Sequence, residues 1–291
     1  MYGFIEANKA AFSVTVMCRV LEVARSGYYA WRRRQPSARQ RDDQRLLGLI
    51  RRIHADARGC YGSPRVHELV DDHDERLGVN RVARLMACAG IAGVSGRKRG
   101  PRTTVPSSRS KPPDLVGRDF TATAPNRLWL ADITYLETDE GWLYLAVILD
   151  AFSRRIIGWA TADHLRTQLP LEALEMALKG RDVRPGTTLV HHTDSGSQYL
   201  SEAYGRRLSG AQLRASAARS AYDNAMVESW FHTLKNELIH RHRWATRAAA
   251  DLAVFSYIGW YNQRRRHSSL DMRSPVRYEK EETTPTLFSQ A

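Results

Sequence analysis

The sequence of 291 residues has few cysteines and no long apolar run, and both absences narrow the class of protein. Its three cysteines, Cys18, Cys60 and Cys88, lie far apart and none has a partner at CxxC spacing. A disulfide framework and a tetrahedral zinc site are therefore not supported. No stretch approaches the roughly 18 consecutive apolar residues of a membrane span, and the first ten residues lack the apolar centre of a secretory signal. We expect reduced thiols and a cytosolic protein without a membrane partner.

The positive charge is concentrated in the N-terminal part of the chain. The net charge is +13; residues 1–118 contain 23 Lys and Arg against 11 Asp and Glu, whereas residues 119–291 contain 21 against 20. A concentrated arginine excess is typical of proteins that bind a polyanion, because each neutralised phosphate releases counterions. A solvated basic face is the alternative, and the size of the excess favours nucleic acid.

Residues 1–95 are predicted to form a helical, basic, DNA-binding region. Within it, residues 12–34 have the pattern of two short helices, and the second ends in Arg32, Arg33 and Arg34. The pair could be a small helix-turn-helix that contacts DNA or an ordinary pair of packed helices. Residues 41–57 and 64–90 are also expected to be helical, with an apolar stripe that belongs to a core.

Residues 96–117 are rich in Pro, Ser and basic residues, include Arg97, Lys98 and Arg99, and show no apolar periodicity. This composition predicts a basic linker. We assign residues 118–280 to a second domain and residues 281–291 to a disordered tail. The basic run RRRH at 264–267 is expected to open the polar C-terminal part of the chain.

The order of apolar runs after the linker predicts an α/β fold. Three strand-like runs, LWLADITYLE, WLYLAVILDAF and RRIIGWATAD, are followed by a helix at 167–179 and the strand TLVHHTD. A helix near 201–209, a short strand near 213–216, a long helix from Asn224 and a helix at 246–263 complete the domain. This order predicts a mixed five-stranded sheet flanked by helices, with the first strand in its centre.

Three acidic residues lie in mostly apolar stretches of sequence, where an ionised carboxylate costs free energy. Asp132 lies inside the first strand, Asp194 ends the fourth, and Glu228 lies on the long helix. Ionised groups persist in such places when they are paired or bound to a cation, so the set indicates a shared divalent-metal cage. Three unrelated ion pairs are the alternative for each acid taken singly.

The helix from Asn224 has a packing face and an adjoining polar edge. At 100° per residue, Asn224, Glu228, His232 and Lys235 fall on this edge, whereas the large apolar residues fall on the other side. Glu228 would reach a metal ion and Lys235, two turns further, a DNA phosphate. We therefore include Asn224, His232 and Lys235 among the candidate DNA-binding residues.

As a set, LWLADITY, HHTDSGSQY, YDNAMVESWFHTLKNEL and YNQRRRHSSLDMRSPVRYE resemble the integrase core of bacterial transposases of the insertion sequence three family. The resemblance extends over nearly the whole chain. It implies a ribonuclease-H-like fold whose catalytic Asp, Asp and Glu bind two magnesium ions, with Mn²⁺ as a substitute; here they would be Asp132, Asp194 and Glu228. Lys235 resembles a lysine that contacts transposon-end DNA.

The resemblance also implies the partners. The protein would cleave and join DNA at the terminal inverted repeats and at target DNA, as a homo-oligomer in the bacterial cytoplasm at the nucleoid. It would be the downstream product, joined by frameshifting to an upstream product. Two alternatives stay open: a ribonuclease-H-like structure-specific nuclease, and a catalytically decayed DNA-binding remnant. The second is favoured by the 33 residues between Asp194 and Glu228, two fewer than usual, and Ser195 stands where arginine is frequent.

Overall fold

The computed structural model describes residues 1–73, 75–94, 112–181, 183, 188–194, 196–218 and 224–284. Its N-terminal part is helical, as predicted. The helices are α1 (Tyr2–Asn8), α2 (Val14–Val20), α3 (Arg25–Arg33), α4 (Ala38–Asp56), α5 (Ser63–Asp71) and α6 (Val79–Cys88). The first three enclose a small core around Ile5 and Tyr28, and the next three enclose a larger one around Ile50 and Val66.

The N-terminal part differs from the sequence prediction at one point. The stretch 64–90 contains two helices, α5 and α6, instead of continuous helix. The sequence between them, DDHDERLG, is highly charged and ends in Gly78, which precedes the first residue of α6. Its one apolar residue, Leu77, packs against the core and is followed by Gly78, a poor helix former, so the sequence does not favour one continuous helix.

The five-stranded mixed sheet has its first strand in the centre, as predicted. The strands are β1 (Leu128–Thr138), β2 (Gly141–Asp150), β3 (Ile156–Ala162), β4 (Val190–Thr193) and β5 (Arg214–Ala217). Their order in the sheet is β3-β2-β1-β4-β5. Strands β1 and β2 and strands β2 and β3 pair antiparallel, whereas β4 pairs parallel with both β1 and β5.

Helices cover both faces of the sheet because β1 is apolar on both sides. The helices are α7 (Gln168–Gly180), α8 (Glu202–Gly210), α9 (Ala225–Glu237), α10 (Arg247–Gln263) and α11 (Pro275–Thr283). Leu128 and Leu130 join a core with α9 and α10, whereas Trp129 and Ala131 join one with α7 and α8. Gly158 on β3 allows α7 to lie directly on the sheet, since a Cβ there would be 2.2 Å from the carbonyl oxygen of Ala173.

The prediction that RRRH at 264–267 opens a polar tail is wrong. Arg265 is 4% exposed, and its guanidinium Nη2 lies 2.6 Å from Oε1 of Glu237 on α9. The backbone N–H of Arg266 donates to the hydroxyl of Tyr61, which follows α4, at 2.7 Å. The chain then turns back into α11, which continues to Thr283, so the predicted disordered tail 281–291 does not begin at 281. Residues 285–291 lie outside the described residues. This segment is structural because its arginines find carboxylate and hydroxyl partners inside the fold.

The helical region packs on the core at the end of α9 and the side of α10. Arg241 donates from Nη1 to the carbonyl oxygen of Arg58 at 2.8 Å, and the rings of Tyr61 and Trp260 lie 6.1 Å apart. Glu237 lies at the centre of this contact, which we call the junction. All three cysteines are free, and no helix among the described residues is long and apolar enough to cross a membrane.

Candidate active site

The pairing of β1 with β4 brings two of the three predicted acids to one place. The parallel register matches Ala131 with Thr193, and each of these residues is followed directly by an acid. Asp132 therefore lies beside the carboxyl end of β4, from which Asp194 emerges. Both side chains are half-buried.

The third acid comes from α9, and Asn224 fixes the beginning of that helix on β1. Asn224 is 3% exposed, and its Nδ2 donates to the carbonyl oxygen of Ala131 at 3.0 Å. Its Oδ1 is buried without a hydrogen-bond partner among the described residues. Glu228 lies one turn further, is exposed and is close enough to affect Asp132. The amide of Asn224 thus positions α9 and is not at the surface where we expected it to meet DNA.

The electrostatics of Asp132 indicate that the other two acids lie in its neighbourhood. Burial raises the pKa of Asp132 well above its usual range, and the negative charges of Asp194 and Glu228 raise it further. The backbone N–H of Ile133, which donates to Oδ1 at 2.8 Å, and the charge of Lys235 act in the opposite direction. Like charges held together in this way would be stabilised by a bound cation.

The carboxylate of Asp194 lies in a tight cradle formed by the turn after β4. The backbone N–H of Gly196 donates to Asp194 Oδ1 at 3.0 Å. A Cβ at position 196 would lie only 2.9 Å from the same oxygen. The sequence analysis missed Gly196, although an Asp followed two residues later by Gly is typical of a turn that bonds back to the acid.

Lys235 lies where it can act on the charge of the acidic site. Its Nζ lies 5.0 Å from the ring centroid of Tyr135, and it is close enough to Asp132 to lower the pKa of that carboxyl. Burial lowers the pKa of Lys235, whereas Tyr135 and Asp132 raise it. His232, on the same helix, is exposed. Lys235 therefore borders the acids, whereas a role of His232 beside them stays a prediction.

The donor set suits a hard divalent cation, although the acids do not form a closed cage. Three carboxylates supply the oxygen ligands that magnesium prefers, and Gly196 leaves Asp194 the room it needs. Among the described residues, however, no three His, Cys, Asp or Glu side chains are grouped so that they could hold an ion.

Other polar residues near the strands have structural roles. His191 and His192 are fully buried and bond to different partners, the hydroxyls of Tyr204 and Ser216, each at 2.8 Å. Asp150 is fully buried and accepts from the backbone N–H groups of Asn126 and Phe152, at 2.9 and 3.0 Å. Asp150 is therefore a turn-forming residue, the interpretation that strand-ending aspartates favour.

The basic residues of the N-terminal region that we predicted to contact DNA are distant in sequence from the three acids. Arg32 and Arg33 are in the last turn of α3 and Arg34 caps it; all three side chains are exposed. Arg32 also lies 3.6 Å from Glu6. Arg97, Lys98 and Arg99 lie outside the described residues, as does the sequence between positions 219 and 223 where the spacing to Glu228 is short.

Family models match three parts of the chain. Two models described as "Integrase core domain" match residues 122–222 and 209–275, and one described as "HTH-like domain" matches residues 41–99. The helix-turn-helix-like part therefore corresponds to α4–α6 and not to the pair at 12–34. The first integrase-core match contains Asp132 and Asp194, and the second contains Glu228.

Full-length relatives decide the family. "Transposase InsF for insertion sequence IS3fB" of Escherichia coli K12 is 41% identical over 285 residues, which cover 96% of this chain and 98% of the relative. The chain belongs to the IS3 family of transposases. A transposase for insertion sequence element IS629 of Shigella sonnei is 38% identical over 96% of each chain. This IS3-family transposase thus acts in DNA transposition and integration.

Solved integrases are more distant from the IS3-family chain. The catalytic core domain of HTLV-2 integrase in complex with magnesium is 18% identical, covering 54% of this chain and 98% of its own, with a TM-score of 0.42. A simian T-cell lymphotropic virus intasome in complex with PP2A regulatory subunit B56 gamma is 15% identical. It covers 83% of this chain and 77% of its own, with a TM-score of 0.46.

Proposed function

We propose that this transposase cleaves and joins DNA by metal-dependent phosphoryl transfer, with Asp132, Asp194 and Glu228 as the catalytic carboxylates. The observation that carries the proposal is the pairing of β1 with β4, which places Asp132 beside Asp194. The bond from Asn224 to Ala131 fixes the turn of α9 that bears Glu228, and the raised pKa of Asp132 supports this placement. Three carboxylates from two strands and a helix repel one another without a cation, an arrangement that suits a metal site.

The three carboxylates would hold two magnesium ions, with manganese as a substitute. When bound, the metals would supply Lewis-acid stabilisation of the attacking and leaving oxygens. Gly196 keeps the carboxylate of Asp194 in its cradle, and Asn224 keeps the first turn of α9, with Glu228, against β1. Lys235 would bind a DNA phosphate beside the acids.

The reaction consists of two displacements at phosphorus. Water attacks the phosphodiester at the element end, and the P–O bond to the leaving 3′-oxygen breaks, which frees a 3′-hydroxyl. That hydroxyl then attacks a phosphodiester of target DNA and forms a new P–O bond with loss of its proton. The P–O bond to the 3′-oxygen of the target strand breaks, and this oxygen takes up a proton and leaves as a 3′-hydroxyl. No covalent protein intermediate is required, so no activated serine, tyrosine or cysteine is involved.

Further contacts with DNA are proposed for the exposed basic residues. His232 would contact the bound end beside Lys235, and the N-terminal region would contribute the residues Arg32, Arg33, Arg34, Arg97, Lys98 and Arg99. Two element ends must be held together during joining, so we propose a homo-oligomer on DNA. We also propose that the chain acts as a frameshift fusion with the upstream product of the same element.

The test is magnesium-dependent cleavage of a labelled duplex that carries the terminal inverted repeat of the element. Glu228→Gln should abolish cleavage and leave binding of the duplex in EDTA unchanged, because it removes a metal ligand and little volume. Glu137→Gln, an exposed carboxylate on the same strand as Asp132, is the matched control and should cleave normally. Cleavage by Glu228→Gln in magnesium would reject the assignment.

The 33-residue spacing between Asp194 and Glu228 favours one second candidate, a catalytically decayed protein that only binds DNA. The same duplex separates the two functions. Binding without cleavage by the unmodified protein, in magnesium and in manganese, would support the decayed protein. Cleavage followed by joining of the labelled end to target DNA would support the transposase over a nuclease.

A further inference from the structure

The outer side of helix α4 is basic along most of its length. At 100° per residue, Arg41, Gly48 and Arg52 fall within about 40° of one another around the helix, and Arg51 lies next to this row. We call these four residues the α4 face. The three arginine side chains are exposed, whereas the opposite side of α4 belongs to the core that this helix shares with α5 and α6. The α4 face is therefore turned toward solvent.

The arginines of the α4 face differ from those of α6 in their partners. Asp43, in the second turn of α4, lies 2.7 Å from a guanidinium nitrogen of both Arg81 and Arg84 on α6. Asp42 also lies 2.7 Å from Arg81, and Asp56, the third acid of α4, borders the junction. The arginines of the α4 face have no carboxylate partner among the residues that the structure describes. Of these two helices, α4 is thus the one whose positive charge is available to a partner.

Gly48 lies at the centre of the α4 face, where a glycine destabilises a helix relative to alanine. No neighbour in the described part of the chain requires this glycine, because a Cβ there would meet nothing within 4 Å. At Gly158, by contrast, a Cβ would lie 2.2 Å from the carbonyl oxygen of Ala173. A helix without a side chain at the centre of its exposed side allows another molecule to approach its backbone closely. The α4 face therefore combines room for a close approach with positive charge on both sides of it.

The DNA backbone is a partner whose charge and length fit the α4 face. A duplex carries one negative charge per about 1.7 Å of its axis, and α4 rises about 17 Å from Arg41 to Arg52. In a helix-turn-helix, the second helix of the pair ordinarily reads the bases. In this HTH-like domain, however, the arginines of the last helix, α6, are held by Asp43. Contacts with phosphates are therefore better served by α4 than by α6.

We propose that the α4 face binds the phosphate backbone of duplex DNA, irrespective of base sequence, through Arg41, Arg51 and Arg52. These contacts would orient the helical region on the DNA and carry no sequence information. The inference adds a DNA-binding surface to the proposed function and rests on that function only in taking DNA as the partner. It does not depend on the three proposed catalytic carboxylates.

The test is binding of the full-length protein, in EDTA, to two labelled duplexes over a range of salt concentrations. One duplex carries the terminal inverted repeat of the element, and the other carries the same bases in scrambled order. The double variant Arg41→Gln, Arg52→Gln should bind both duplexes about tenfold or more weakly. Its slope of log affinity against log salt should fall by about 2, because two phosphate contacts are lost. The corresponding double lysine variant should retain the slope because it keeps the charge.

A substitution that favours folding supplies the second test. Gly48→Glu should weaken binding of both duplexes about fivefold or more, because its carboxylate repels phosphates. The midpoint of urea denaturation should stay the same or rise, since glutamate favours a helix over glycine. Gly205→Glu, which adds the same charge at an open position on α8, should weaken binding by less than about twofold.

Matched arginines decide between the two helices. Arg84→Gln removes the same charge from α6 as Arg52→Gln removes from α4, but its guanidinium is paired with Asp43, so it should leave the slope unchanged. Equal losses of affinity in these two variants, equal binding by the two glycine variants, or weakening of the terminal-repeat duplex alone would overturn the proposal. Because binding in EDTA involves no metal chemistry, the expected differences in a protein without cleavage activity would support the α4 face and reject the catalytic function alone.

Discussion

Two glutamates of the same helix, Glu228 and Glu237 on α9, have opposite electrostatic surroundings. Glu228 is exposed and shares its neighbourhood with two further carboxylates. Glu237 is 8% exposed and accepts hydrogen bonds from Arg265, at 2.6 Å, and from the Tyr257 hydroxyl, at 2.8 Å. The acidic site therefore concentrates one sign of charge, whereas the junction neutralises it. Like charges held together favour the binding of a cation, whereas a paired carboxylate and arginine form a structural contact.

The largest expected effect is on catalysis. Asp132→Asn should reduce cleavage of the terminal repeat about a thousandfold or more, because it removes a proposed metal ligand. In EDTA the free energy of unfolding should stay unchanged or rise by up to about 1 kcal/mol, because the substitution relieves repulsion by Asp194 and Glu228.

Cleavage assays and urea denaturation of the same preparation measure both quantities. A large loss of stability in Asp132→Asn would contradict the comparison, since it would mean that the carboxylate of Asp132 is a structural group like that of Glu237.

The next effect is on stability at the junction. Glu237→Ala should lower the free energy of unfolding by about 3 to 5 kcal/mol, because it leaves Arg265 buried without its partner. Glu281→Ala, which removes an exposed partner of Arg277, should cost less than about 1 kcal/mol. Urea denaturation compares the two. Similar costs would mean that burial does not distinguish the junction from a surface pair.

The third prediction concerns the buried, neutral imidazole of His191 and the pH dependence of stability that it causes. Burial lowers the pKa of His191 to about 3, and its Nδ1 has no hydrogen-bond partner among the described residues. The folded state therefore favours the neutral ring. The stability that this preference contributes is complete above the unfolded pKa near 6.5 and is lost as the pH falls toward 3. At pH 5 the loss should be roughly 2 kcal/mol.

His191→Gln should remove this part of the pH dependence, measured by urea denaturation at pH 7 and pH 5. Tyr204→Phe is the control, because it deletes the hydroxyl at 2.8 Å and keeps the buried ring. If His191→Gln loses as much stability as the unmodified protein between the two pH values, the buried imidazole is not the cause.

The smallest effect tests the cradle of Asp194. Gly196→Ala places a Cβ 2.9 Å from Asp194 Oδ1, so it should shift that carboxylate and lower the cleavage rate about tenfold. Gly205→Ala on α8 is the matched control, since a Cβ there meets nothing within 4 Å and alanine favours a helix. Equal cleavage by both variants would show that the position of Asp194 tolerates the contact.

Much of the core could be predicted from local patterns. The apolar runs around Asp132 and before Asp194 predict strands, and the order of elements predicts the central position of β1 that the sheet has. The helical spacing places Lys235 and Glu228 on one edge of α9. These features are local because a strand or helix repeats every two or 3.6 residues. The roles of Asp132, Asp194 and Glu228 in catalysis stay predictions.

Other features depend on contacts between distant parts of the chain. The sequence RRRH has the composition of a solvated basic run, yet Arg265 is buried because Glu237 and Tyr257 meet it from two other helices. Asn224 stands on the polar edge of its helix, yet its amide bonds to β1. The partners of Arg265 and Asn224 cannot be identified from periodicity. Periodicity indicates the face of the helix or strand on which a residue lies, but not which residue of another element contacts it.

The sequence by itself determined the family, the order of strands and helices, and the location of the basic charge, because each follows from local pattern and composition. Only the tertiary structure decided which charges each acidic residue meets. Glu228 and Glu237 are the same residue type on one helix. The packing of β1, β4 and α10 gives one of them like charges and the other an arginine, and the free energy of a charge depends on its neighbours in space.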